Sequence, residues 1–94
     1  MPKINFSVSA SAGVRTFTVT INGRGLTWTQ AGAVWTGAIN VPAGADNAVQ
    51  YHFTGIRGST LKITGKNGAA NAVELSGAIG AGISYDIGFV SFSA

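Results

Sequence analysis

The side chains able to carry acid–base or metal chemistry are few and scattered in this 94-residue chain. Asp46, Glu74 and Asp86 are its three carboxylates, His52 is its one histidine, and it has no cysteine. General acid–base work needs titratable groups gathered at one point, and nucleophilic catalysis needs a hydroxyl, thiol or amine beside a base. Transition-metal sites draw on imidazole and thiolate. Glycoside hydrolysis needs two carboxyl groups at a set separation, and the spacing of these three gives no reason for any two to meet. No serine sits in a Gly-x-Ser-x-Gly turn. A calcium loop supplies several oxygen ligands, whereas Asp46-Asn47 supplies two at most. The run from Gly77 to Gly82 reverses the glycine order of a dinucleotide loop, and a strand follows it rather than a helix. These observations predict a protein that is not an enzyme and holds no cofactor or metal.

The residue types that remain suit recognition of neutral groups. An exposed aromatic ring offers a flat apolar face to a sugar, and nearby amides and hydroxyls fix its orientation. Trp28, Trp35 and Tyr85 are the aromatic candidates; Asp46, Asn47, Gln50 and His52 are the polar ones. The two indoles also have a plainer reading, because Trp28 shares the phase of Leu26 and Trp35 that of Ile39. His52 shares the phase of Gln50 and Thr54, opposite Tyr51 and Phe53, so it is expected to face solvent.

Strands must position these residues, because period-two alternation dominates the chain and no helical stripe is present. Ile4, Phe6 and Val8 alternate with Asn and Ser, and Phe17, Val19 and Ile21 alternate with Thr16, Thr18 and Thr20. Asn22-Gly23 is a tight-turn signal, and with Leu26 to Thr29 beyond it residues 14–29 read as one hairpin. That hairpin would set the Thr16-Thr18-Thr20 row beside Thr27 and Thr29, an array of the kind that can bind ice. Further strands follow at Val34–Val41, Val49–Phe53, Leu61–Ile63 and Val73–Leu75, with a second Asn-Gly turn at Asn67-Gly68. Ile83, Tyr85, Ile87 and Phe89 alternate in the last strand before the phase shifts to Val90 and Phe92. Gly88 beside that shift predicts a β-bulge or a strand buried on both faces.

About eight short strands with regular turns predict one all-β domain over residues 1–94. The expected architecture is an antiparallel β-sandwich of immunoglobulin-like or jelly-roll topology, with a small barrel as the alternative. Only 10% of residues are charged, against a usual ~25%. The six Lys and Arg residues stand singly and give a net charge of +3, which argues against nucleic-acid binding. No run of about 20 apolar residues marks a membrane helix, and the apolar 77–83 segment is shorter than two spanning strands require. Met1-Pro2-Lys3 leads directly into a strand, so no signal peptide is expected and the chain reads as soluble.

Three function classes fit this composition. The first is a non-enzymatic, lectin-like module for a neutral glycan. The second is a self-assembly protein that buries a low-charge sheet face in a homo-oligomer, at little desolvation penalty. The third is a membrane-active β protein. Low charge also leaves edge strands open to pairing, which predicts a homo-oligomer, and Lys3 and Lys62 are expected to protect rim strands.

Overall fold

The computed structural model describes residues 2–94. Alternation of β-branched and aromatic residues with Ser, Thr and Asn folds them into nine strands and no helix. These are β1 (Lys3–Ala10), β2 (Val14–Ile21), β3 (Arg24–Gly25), β4 (Thr29–Ala31), β5 (Val34–Asn40), β6 (Asp46–Gly55), β7 (Thr60–Asn67), β8 (Ala70–Ala78) and β9 (Tyr85–Ser93). They form two antiparallel sheets, one ordered β4-β5-β1-β7-β8 and the other β3-β2-β6-β9. The expected β-sandwich is the fold. One face of each sheet supplies the core, through Ile4, Phe6, Val8, Leu61 and Ile63 on one side and Val19, Ile21, Val49, Tyr51, Phe53 and Phe92 on the other. Fully burying one such side chain contributes about 1.5–3 kcal/mol before chain entropy is set against it.

The hairpin expected over residues 14–29 is only half formed. Asn22 and Gly23 adopt φ of 53° and 77°, the left-handed pair of a mirror-image hairpin turn. The returning arm pairs with β2 only at Thr20↔Gly25 and Ile21↔Arg24. Leu26 to Trp28 then crosses the open side of the sandwich, and Thr29–Ala31 joins the other sheet against β5. Alternation specifies an extended segment with one apolar side; it does not specify a ladder partner. Thr16, Thr18 and Thr20 therefore lie on one sheet, Thr29 on the other and Thr27 on the crossing, and the flat two-strand array is not formed.

Two further expectations are corrected. Lys3 lies on β1, the central strand of its sheet, and Lys62 lies on β7, one strand in from the edge. Neither marks a rim; Lys62 instead pairs with Glu74 of β8 at 3.6 Å. The last strand has no bulge, since β6 and β9 pair without a register shift from Asp46↔Ser93 to Thr54↔Tyr85. Its inward residues are Asp86, Gly88, Val90 and Phe92, so Tyr85, Ile87 and Phe89 face out.

Candidate functional site

Trp28 and Trp35 sit half-buried at the rim crossed by residues 26–28. Both pack on Phe17 of β2, with edge-to-face ring centroids 6.3 Å away for Trp28 and 4.9 Å for Trp35. Such pairs add roughly 0.5–1.5 kcal/mol beyond area burial. The indoles close the sandwich here, as their phase predicted, and they stand away from the other candidate residues.

Asp46 and Asn47 part company because neighbours on a strand point to opposite faces. Asp46 is exposed at the start of β6, at the far end of the sheet from Tyr85. Asn47 is 1% exposed, and its amide is fully engaged. Its Nδ2 donates to the carbonyls of Pro42 and Ala45, both at 3.2 Å, and its Oδ1 accepts from Asn22 Nδ2 at 3.0 Å. Asn22 Oδ1 in turn accepts from the Ala48 amide at 2.8 Å. As a ligand-binding residue Asn47 is a correction: it clamps the β2–β3 turn and the loop before β6.

The remaining three candidates meet on the outer face of the four-stranded sheet. His52 stands between Thr18 of β2 and Ile87 of β9, and Gln50 between Thr20 and Phe89. Tyr85 lies one row along, its ring stacked on His52 at 5.9 Å and 28°. A shallow cleft of about 240 Å³ runs between Thr18, Thr20, Gln50, His52 and Ile87. The β9 side of this face is apolar and open: Tyr85 is 50%, Ile87 55% and Phe89 78% exposed. Exposed apolar residues scattered singly are ordinary in soluble proteins, whereas contiguous apolar patches are enriched at interaction surfaces. Ile87 and Phe89 are the residues that sequence reasoning missed. Their signal was present in the phase shift to Val90 and Phe92, which marks a strand apolar on both faces.

The backbone of β9 has no ladder partner on the side away from β6, where β8 of the other sheet runs close beneath it. The Gly55 amide donates to the Ser84 carbonyl at 3.0 Å. Antiparallel pairing then turns the N–H and C=O of Asp86, Gly88 and Val90 toward β6, and those of Tyr85, Ile87 and Phe89 toward the unpaired edge. The exposed apolar side chains and the free hydrogen-bonding groups thus belong to the same residues.

Beneath this strand, Tyr51 donates a 2.7 Å hydrogen bond to Asp86 Oδ2. Burial first, and then the hydrogen bond and charge of Asp86, push the Tyr51 hydroxyl up to about 12. Tyr51 lies directly opposite Gly88, and a Cβ at position 88 would run into the tyrosine ring. Glycine is there because the ring needs its space, which accounts for a residue that resembled a bulge signal.

The other sheet has a different outer surface. A groove of about 680 Å³ is lined by hydroxyls of Ser7, Thr29, Thr36 and Thr64, with Lys66 at one side. Among the described residues, no group of three or more His, Asp or Glu side chains could hold a metal ion. Comparison of the chain with protein-family models, with curated proteins and with solved structures finds no match.

Proposed function

We propose that this protein is a non-enzymatic assembly module that works by accepting an extended strand of another polypeptide at the open edge of β9. The observation that carries this reading is the coincidence, on one edge strand, of unpaired backbone groups with the exposed side chains of Tyr85, Ile87 and Phe89. In strand addition the main-chain bonds supply affinity, and alternate side chains supply selectivity. The row on β9 itself carries no charged side chain on its outer face, so covering it desolvates no ion.

The test is binding of a labelled nine-residue peptide of alternating Val and Thr, with terminal lysines for solubility, to dilute protein. A saturable rise in fluorescence anisotropy is expected, and Phe89→Lys should remove it by placing a charge on the edge. A flat response from the unmodified protein would overturn the proposal.

The stacked His52 and Tyr85 rings beside Gln50 favour one second reading, recognition of a neutral glycan on this same face. A glycan array separates the two. Signal that Tyr85→Ala abolishes and Phe89→Lys spares would support the sugar; a blank array would remove it.

A further inference from the structure

The two sheets have four edge strands, β3, β4, β8 and β9, and they are not equally guarded. β3 has two residues and β4 three, too short to recruit a neighbouring chain, and the part of β2 that β3 leaves bare carries the charged Arg15. β8 is longer, but its outer face carries the Lys62–Glu74 ion pair. Short length and charge are the usual ways of blunting an edge. β9 is nine residues long and has no Lys, Arg or Pro. Its one carboxylate, Asp86, points inward and is held by Tyr51.

Resting on the strand-addition reading above, we infer that the strand accepted by β9 is β9 of a second copy, paired antiparallel about a two-fold axis at Ile87. Charge favours a copy of the same chain. The row holds no Lys, Arg, Asp or Glu on its outer face, so identical surfaces meet without repulsion. With a whole aromatic side chain offering about 150–250 Å², the exposed parts of Tyr85, Ile87 and Phe89 present on the order of 400 Å². Ile83 (50% exposed) and the unpaired backbone add to this, within the range of a small interface rather than the ~800 Å² per partner of a standard one.

The register follows from matching side chains. Centred on Ile87, Ile87 faces its own copy and each Tyr85 faces the partner's Phe89, so every apolar residue of the row meets another. Such cross-strand aromatic and β-branched pairs are stabilising. On the inner face the same register sets Asp86 opposite the partner's Gly88, which leaves room for the carboxylate. A register centred on Phe89 would instead face Ile87 and Tyr85 with serines. The two four-stranded sheets join into one continuous eight-stranded sheet.

Sedimentation velocity and single-cysteine cross-linking test this together, the second against a cysteine-free background. The unmodified protein should sediment as a dimer at tens of micromolar. Phe89→Lys should raise the dissociation constant by about 100-fold or more, and Ser76→Lys on β8 should leave it unchanged. Under mild oxidation Ile87→Cys should give a covalent dimer, because paired Cα atoms lie ~5.5 Å apart in such a ladder. Phe89→Cys should not, since the two copies of residue 89 are then offset by four residues, roughly 13 Å. Cross-linking at 89 in place of 87 overturns the register, and dissociation by Ser76→Lys overturns the choice of edge. A chain that stays monomeric at hundreds of micromolar yet binds the Val/Thr peptide overturns self-pairing and leaves strand addition standing. A monomer that binds no peptide removes both.

Discussion

At the scale of single residues, the pair Tyr51 and Asp86 makes the most specific demand on its surroundings. The phenol is 6% exposed and donates to a carboxylate, so its neutral form is favoured in the folded protein. Below pH 10, folded and unfolded chains both keep the proton, and the contribution to stability is constant. Between 10.0 and about 12 the unfolded chain releases it while the folded one retains it. Stability therefore falls as pH rises through this window, by up to about 1.4 kcal/mol per pH unit and on the order of 3 kcal/mol in total. Urea denaturation at pH 9 and pH 11.5 should show this loss in the unmodified protein. Tyr51→Phe should lack that component while being less stable at neutral pH by about 1–3 kcal/mol, because Asp86 loses its donor. Equal alkaline losses in the two proteins would contradict the assignment.

At the scale of elements, the clamp made by Asn22 and Asn47 ties the β2–β3 turn and the loop before β6 to one buried amide. Asn47→Ala leaves two loop carbonyls without their donor and should lower stability by about 2–3 kcal/mol, read as a reduced urea midpoint with an unchanged slope. How far such elements could be read from the sequence varies with their surroundings. β1, β6 and β7 were legible because one face is apolar and the other polar, which a period of two reveals directly. His52 and Gln50 were legible as outward residues for the same reason, whereas Tyr85 shares the apolar phase of Ile87 and Phe89 and its exposure was not. The crossing at Leu26–Trp28 was not, since an extended rim segment has the alternation of a strand without its ladder. Nor was the exposed face of β9, because Ile87 and Phe89 are as apolar as Val90 and Phe92, and hydrophobicity alone does not say which pair a second sheet covers. Asn47 looked like a surface ligand because a buried amide in a strand is recognisable only with its partners in place.

At the scale of the whole molecule, a 94-residue chain buries a limited fraction of its surface, so joining a second copy would add materially to its stability. A dimer formed through β9 should make the melting temperature rise with protein concentration, as mass action requires when association favours the folded state. Differential scanning calorimetry from 5 to 500 μM should record that rise in the unmodified protein and a flat line for Phe89→Lys; a flat line for both would speak against association. The uneven guarding of the four sheet edges has a consequence for architecture. Once β9 is occupied by its own copy, the rims that remain are the short β3 and β4, the bare part of β2 with Arg15, and β8 with Glu74. A chain paired in that way would have a valence of one, closing as a pair instead of growing into a fibre.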